Sequence, residues 1–277
     1  MQPLGPIVDA GDLGRLDAVL CDVRWYLDGR SGREAYEAGH LPGAVFVDLD
    51  RDLTAPPSTT QGRHPLPTAE AFAAALGALG VGPDDAVVAY DDSGGMSAGR
   101  LVWMLRVLGQ PAALLDGGIG AWDGPLEAGS ATRPPVECPV RPWPDGAFAG
   151  IEEVAAAAAG GIVLDARAPE RYRGEVEPVD PRAGHVPGAR NAPFAANLGD
   201  GGRFRSPDDL RAHYEELGVG EAAGVVAYCG SGVSACHDLL AMEHAGLGRG
   251  RLYVGSWSQW SATGRPAATG GEPDRDD

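Results

Sequence analysis

Short apolar runs alternate with amphipathic segments along most of the chain. The runs Val87 to Tyr90 and Val225 to Tyr228 are rich in β-branched residues and have the length of buried strands. The segments between such runs carry apolar residues at helical spacing. This alternation predicts an α/β fold in which helices flank a mainly parallel sheet.

The helical segments carry start and end signals. Ser206 is a typical N-cap and Pro207 a typical first helical residue, so a helix is expected to begin there and to end at Gly218. In the first half, leucines at helical spacing begin at Leu101 and stop at Gly109, which predicts another helix.

Several short motifs occur twice in the same order. A Gly-His-x-Pro-Gly-Ala motif begins at Gly39 and again at Gly184, and Trp122 matches Trp260 at the same separation as the two apolar runs above. The repetition predicts a tandem duplication. The expected parts are a first domain over residues 1–123, a proline-rich linker over 124–150, a second domain over 151–269 and an acidic tail over 270–277.

Composition narrows the classes of function. The 277 residues carry 22 basic and 39 acidic side chains, so the net charge of -17 argues against nucleic acid and against an anionic membrane surface as partners. Every basic residue is arginine, so anion binding must use arginine, hydroxyl or backbone N–H groups.

Neither a signal sequence nor an apolar run long enough to cross a bilayer is evident, which predicts a soluble, cytoplasmic protein. The four cysteines lack a CxxC pair and fit a reducing compartment. The six histidines lack the spacing of a zinc site, so neither a metal nor a cofactor is expected.

Cys229 is the best candidate for a nucleophile. It follows a predicted strand and precedes a loop that contains glycine and leads into a helical pattern. Such a loop turns backbone N–H groups and the positive end of a helix dipole towards the sulfur. The loop residues are Gly230, Ser231, Gly232, Val233 and Ser234. The equivalent position in the first copy is Asp91, which offers no sulfur, so only the second copy is expected to be catalytic.

These features together resemble one family. The paired Gly-His-x-Pro-Gly-Ala motifs, the duplication, the cysteine in the second copy alone and the closing segment Gly255 to Trp260 resemble the two-domain rhodanese-type sulfurtransferases. The resemblance runs from about Val19 to Trp260. Within the family, the cysteine loop is similar to that of the 3-mercaptopyruvate branch. The thiosulfate branch is expected to place positive charge where this chain has Gly230 and Ser231.

The resemblance implies a reaction and its residues. Cys229 takes sulfur from 3-mercaptopyruvate as a persulfide and passes it to a thiophilic acceptor such as cyanide, a thiol or a thioredoxin-like protein. Family resemblance also implies that Ser231, His64 and Asp50 form a proton relay.

A 2-oxo acid donor has a carboxylate that arginine binds well. Arg171 occupies the position of the family's first carboxylate-binding arginine, and Arg182 is the candidate for the second, although its separation from Arg171 is longer than expected.

Three alternatives compete with this interpretation. One is a thiosulfate:cyanide sulfurtransferase, and another is a carrier that accepts a persulfide without turnover. A cysteine-dependent phosphatase is disfavoured because Ala235 stands where that chemistry needs an arginine. His40 and His185 occur in both copies, which favours structural roles for them. Cys236 is expected to pack in the core, and the sequence leaves a redox role for it open.

Overall fold

A computed structural model describes residues 4–271, so residues 272–277 of the expected acidic tail lie outside the described residues. The chain divides into two compact units. The first comprises the described residues up to Ala55, together with Leu66–Pro144 and Leu198–Phe204, and the second comprises Pro56–Pro65, Asp145–Asn197 and the described residues from Arg205 onward.

The described residues of the first unit form a five-stranded parallel sheet. Its strands are β1 (Ile7–Val8), β2 (Ala18–Asp22), β3 (Val45–Phe46), β4 (Ala86–Tyr90) and β5 (Ala112–Leu115), in the order β1-β5-β4-β2-β3. The helices of this unit are α1 (Gly32–Ala38), α2 (Leu49–Asp52), α3 (Ala69–Ala78) and α4 (Ala98–Val107), with short 3-10 turns at Ala10–Arg15 and Gly118–Ala121.

Within its described residues, the second unit repeats this plan with a four-stranded parallel sheet. Its strands are β6 (Ile162–Asp165), β7 (Arg190–Asn191), β8 (Val225–Tyr228) and β9 (Arg251–Leu252), in the order β7-β6-β8-β9. Its helices are α5 (Ile151–Gly160), α6 (Pro169–Tyr172), α7 (Pro207–Glu216), α8 (Ala235–His244) and α9 (Ser256–Trp260). The predicted α/β fold with mainly parallel sheets is confirmed.

The central strands β4 and β8 are almost wholly apolar, as is typical of parallel sheets with helices on both faces. All four residues of β8 are almost fully buried. The predicted helix signals are also confirmed. The Ser206 hydroxyl accepts the Asp209 N–H at 3.1 Å and begins α7, and a left-handed glycine follows shortly after both α4 and α7, at Gly109 and Gly218.

The two copies share buried contacts that explain the repeated motifs. The hydroxyl at the end of the central strand, Tyr90 or Tyr228, accepts a backbone N–H from the repeated Gly-His-x-Pro-Gly-Ala turn at 3.0 and 3.1 Å. His40 and His185 are buried, each stacks on a tyrosine ring, and each places Nδ1 within 3.0 Å of a backbone carbonyl. These contacts agree with structural roles for both histidines.

The proline-rich stretch is held by hydrogen bonds although it contains little regular structure. Its part up to Pro144 belongs to the first unit, where the Arg133 Nε–H donates to the carbonyl of Gly80 at 2.9 Å and the Trp143 indole N–H donates to that of Pro67 at 2.9 Å. The compact units depart from contiguous domains at residues 56–65 and 198–204. The domain limits given above stay a prediction.

No helix within residues 4–271 combines the length and the apolar character needed to cross a membrane.

Candidate active site

Cys229 lies directly after β8, with its side chain buried and its residue only 2% exposed. The five residues that follow turn the chain into α8, so the amino terminus of this helix is directed towards the loop. The Gly232 N–H donates to the Cys229 Sγ at 3.1 Å. The strand, loop and helix therefore place the sulfur beside the Gly232 N–H and near the amino terminus of a helix, an environment that favours negative charge.

The two glycines of the loop, Gly230 and Gly232, are needed for different physical reasons. Gly232 adopts a φ of 79°, and a Cβ at this position would lie 2.6 Å from the carbonyl oxygen of Val254. A Cβ on Gly230 would lie 3.0 Å from Nη2 of Arg63 and 3.5 Å from Nη1 of Arg171. Gly232 thus permits the turn, whereas Gly230 leaves space for two guanidinium groups.

The start of α9 holds the cysteine loop from the side. The Cys229 N–H donates to the Ser256 Oγ at 3.2 Å, and the Cys229 carbonyl accepts the Trp257 N–H at 2.9 Å. The Ser258 N–H donates to the Gly230 carbonyl, also at 2.9 Å. Ser256 has a φ of 53°, a left-handed conformation that is uncommon for a residue other than glycine.

His64 and Ser231 lie in hydrogen-bonding contact inside the second unit. The distance between the His64 Nδ1 and the Ser231 Oγ is 2.7 Å, and both residues are buried. His64 reaches this place because residues 56–65 belong to the second unit. Gly62 packs so closely that a Cβ on it would lie 2.6 Å from the Gly255 carbonyl oxygen.

Arg171 lies in the short helix α6 and pairs with two acidic side chains. Its Nη2 lies 2.6 Å from the Glu177 Oε1 and 3.3 Å from the Asp180 Oδ2. Arg63 pairs with the other oxygen of Asp180. Burial raises the pKa of Asp180 above its ordinary value, and the positive charge of Arg63 opposes this rise.

The guanidinium of Arg182 contacts backbone carbonyls, which differs from the expected role in binding the donor carboxylate. Its Nε, Nη1 and Nη2 donate to the backbone carbonyls of Ser261, Arg265 and Trp260 at 2.8, 3.0 and 3.2 Å. Three of its five N–H groups therefore hold the chain that follows α9. This use of the guanidinium argues for a structural role.

Asp50 lies in the first unit, in α2. Its Oδ2 accepts the indole N–H of Trp25 at 2.9 Å. The expectation that Asp50 orients His64 stays a prediction.

The first copy shows what fills the same loop when cysteine is replaced. Asp91 follows β4 and is fully buried. Its Oδ1 accepts the N–H groups of Ser93 and Gly95, and its Oδ2 accepts those of Ser97 and Ala98, all at 2.8 to 2.9 Å. The carboxylate thus takes up the anion-binding groups of this loop.

Two further side chains lie on α8 behind the nucleophile. Cys236 is buried, and its Sγ lies 3.4 Å from the Gly232 carbonyl oxygen. None of the four cysteines is in a disulfide. Asp238 is buried, and its Oδ1 accepts the Asn197 Nδ2–H at 2.7 Å. Burial raises the pKa of Asp238 well above its ordinary value.

Sequence reasoning missed two groups at this site. Arg63 lies next to the predicted His64, but its sequence neighbours belong to the first copy and give no sign that it points to Gly230. The sequence shows Ser256 only as part of the closing segment Gly255 to Trp260. Its left-handed backbone and its contact with Cys229 leave no signature in composition or spacing.

Known proteins share both the sequence and the fold. The Rhodanese-like domain family matches residues 11–124 and again residues 151–263. A Pseudomonas aeruginosa protein provisionally named a 3-mercaptopyruvate sulfurtransferase is 43% identical over 94% of this chain and 95% of its own length. A Mycobacterium tuberculosis protein provisionally named a thiosulfate sulfurtransferase is 40% identical over 94% of this chain and 92% of its own length.

A solved structure gives the same result. The 3-mercaptopyruvate sulfurtransferase of Leishmania major superposes with a TM-score of 0.84 at 31% identity, covering 95% of this chain and 75% of that one. The chain therefore belongs to the rhodanese-like family, in which it is a sulfurtransferase with two copies of the domain.

Proposed function

We propose that this enzyme transfers sulfur from 3-mercaptopyruvate, through a persulfide on Cys229, to a thiophilic acceptor. The observation that carries the proposal is the Cys229 sulfur. It accepts the Gly232 N–H near the amino-terminal end of α8. The next residue, Gly230, is approached by the guanidinium groups of Arg63 and Arg171. The names of the relatives described above support the sulfur chemistry.

The first half-reaction forms the persulfide. The Cys229 thiolate attacks the donor sulfur, so an S–S bond forms while the C–S bond of the donor breaks. The electron pair of that bond leaves on carbon as the enolate of pyruvate. The enolate then takes a proton, and in the net reaction this balances the proton that the donor thiol loses when the persulfide becomes an anion. Because the loop N–H groups favour anions, they stabilise both the attacking thiolate and the persulfide that replaces it.

The second half-reaction regenerates the thiolate. The acceptor, cyanide or a thiolate, attacks the outer sulfur, and the S–S bond breaks with its electron pair returning to Cys229. A small thiol or a thioredoxin-like protein is the proposed cellular acceptor. The cytoplasm is the proposed location, because a reducing compartment keeps the nucleophile as a thiol.

His64 and Ser231 are proposed to supply the proton that the enolate needs. Their 2.7 Å contact links an imidazole to a hydroxyl two residues after the nucleophile. Asp50 keeps its proposed place as the residue that orients His64, and Arg171 is proposed to bind the donor carboxylate. We assign Arg182 to the framework, since its hydrogen bonds run to backbone carbonyls.

Thiosulfate is the second candidate donor, and the name of the mycobacterial relative favours it. Paired steady-state kinetics with each donor and with cyanide as acceptor separate the two. We expect 3-mercaptopyruvate to give the higher kcat/KM. A higher value with thiosulfate would overturn the donor assignment, and a single stoichiometric transfer without turnover would indicate the carrier.

The nucleophile is tested in the same assay. We expect Cys229→Ser to abolish turnover and to abolish the gain of one sulfur atom seen by mass spectrometry after incubation with donor. Cys138→Ser is the matched control, because Cys138 lies in the first unit and donates to the Val81 carbonyl, a bond that serine also makes. Residual turnover in Cys229→Ser would reject Cys229 as the nucleophile.

A further inference from the structure

We infer that Arg63 is the second donor-binding arginine of this enzyme, acting with Arg171 on the carboxylate of the donor. The inference rests on the proposed function and adds to it a specificity-determining residue. Arg63 and Arg171 are called the arginine pair below.

The two guanidinium groups are both directed towards Gly230. A Cβ on Gly230 would lie 3.0 Å from the Arg63 Nη2, 3.5 Å from the Arg171 Nη1 and 3.7 Å from the Arg171 Nη2. Both groups therefore lie over the backbone of the residue that follows the nucleophile. A larger residue than glycine at 230 would displace at least one of them.

Both members of the arginine pair keep N–H groups that the acidic side chains beside them do not use. Asp180 takes one N–H group from each member of the arginine pair, and Glu177 takes a further one from Arg171. Among the residues that the structure describes, neither the Arg63 Nη2 nor the Arg171 Nη1 has a protein acceptor, and the buried Arg171 Nε also lacks one. Guanidinium N–H groups without a protein acceptor can donate hydrogen bonds to an anionic group of the substrate.

Arg63 is held in place on both sides. Its own N–H donates to the Ser258 Oγ at 3.1 Å, and the next residue, His64, contacts Ser231 at 2.7 Å. Asp180, almost fully buried, then holds the guanidinium at its far end. The position of Arg63 is thus determined by residues of the same compact unit that carries Cys229.

The chemistry of the donor fits this arrangement. In 3-mercaptopyruvate the carboxylate lies at the opposite end of a three-carbon chain from the sulfur. When the sulfur meets the Cys229 Sγ, the carboxylate falls near the next residue along the loop, which is Gly230. Two guanidinium groups bind a carboxylate through parallel N–H groups, and lysine, which this chain lacks, has no such geometry.

The decisive experiment measures the two half-reactions separately in the full-length enzyme. Persulfide formation is followed with 3-mercaptopyruvate in single turnover, and discharge is followed by adding cyanide to enzyme already loaded with sulfur. For Arg63→Ala we expect kcat/KM for persulfide formation to fall by about 10- to 100-fold, the range for one charged hydrogen-bonding partner. Discharge should be unchanged, because cyanide has no carboxylate.

Arg173→Ala is the matched control, since Arg173 lies in the same unit and pairs with the exposed Glu175. It removes the same charge and should leave both half-reactions as in the parent enzyme. Arg63→Lys keeps the charge beside Asp180, and it should show a smaller fall in persulfide formation. If Arg63→Ala does not fold, as judged by its circular dichroism, Arg63→Lys carries the same comparison.

The outcomes are distinct. Equal losses in both half-reactions would mean that Arg63 merely positions His64 and the loop, and this would overturn the inference. Equal behaviour of Arg63→Ala and Arg173→Ala would overturn it as well. Absence of persulfide formation in the parent enzyme with 3-mercaptopyruvate would instead reject the proposed function.

Discussion

At the scale of single residues, the loop depends on a conformation that only glycine adopts easily. Gly232 combines a φ of 79° with a close approach to the Val254 carbonyl oxygen, so a methyl group there meets both backbone strain and a clash. For Gly232→Ala we expect a loss of about 2 kcal/mol or more in the free energy of unfolding. Sulfur transfer should fall too, because the Gly232 N–H contacts the sulfur.

Urea unfolding of Gly232→Ala beside Gly220→Ala checks this expectation. Nothing lies within 4 Å of a Cβ at Gly220, and its φ is outside the left-handed range. The control should therefore unfold with a free energy within about 1 kcal/mol of the parent. Similar values for the two variants would show that the loop tolerates a side chain at 232.

The residues of the site also show how far sequence reasoning reaches. Cys229 and its loop follow from a strand that ends before glycines, because that pattern depends on neighbours in the chain. Arg63 does not follow, because its place depends on contacts with Ser258 and Asp180, which are far away in the sequence. The predicted second arginine, Arg182, lies farther from Arg171 than expected, and spacing says nothing about the carbonyl groups that surround it.

At the scale of elements, residues at the start of α9 form hydrogen bonds with the chain that follows β8. Ser256 accepts the Cys229 N–H and also adopts a left-handed backbone conformation. Its hydroxyl and its conformation therefore contribute separately to the stability of the protein. Ser256→Ala and Ser256→Gly both remove the hydroxyl, but only glycine relieves the strain. We expect the glycine variant to be the more stable of the two by about 1 kcal/mol.

Thermal and urea unfolding of the two Ser256 variants give the comparison directly. Both should be less stable than the parent, since each leaves a buried N–H without its partner. An alanine variant as stable as the glycine variant would mean that the left-handed conformation is not kept in solution.

The elements were more predictable than their contacts. The alternation of apolar runs and helical segments indicates parallel strands, and both sheets confirm it. The sequence also indicates the cap of α7 at Ser206. The assignment of residues 56–65 to the second unit depends on packing between distant segments, for which periodicity has no signal.

At the scale of the whole molecule, stability should depend on pH through buried acids, among them Asp238. Burial raises the pKa of Asp238 well above its ordinary value. The folded state therefore keeps this proton at pH values where the unfolded chain has already lost it. Because the folded state then binds more protons, the contribution of Asp238 to stability falls as pH rises above the ordinary range of aspartate.

Asp238→Asn removes this titration and keeps an oxygen to accept the Asn197 amide. We expect the free energy of unfolding of the variant to rise relative to the parent as pH increases from 5 to 8, by at most about 1.4 kcal/mol per pH unit. Asp208→Asn, at an exposed position in α7, is the control and should show a flat difference. A flat difference for Asp238→Asn would mean that Asp238 is ionised in the folded protein.

The side chain of Asp91 can be compared with the persulfide that is proposed for Cys229 in the second copy. In the proposed cycle, the second copy carries a negatively charged atom beyond the Cys229 sulfur only between its two half-reactions. The first copy has acceptor atoms one bond beyond Cγ at all times, because both oxygens of Asp91 are covalently part of the chain. In the first copy, four backbone N–H groups thus bind a side chain that is one atom longer than that of cysteine, which is the change in length that a persulfide would bring to Cys229.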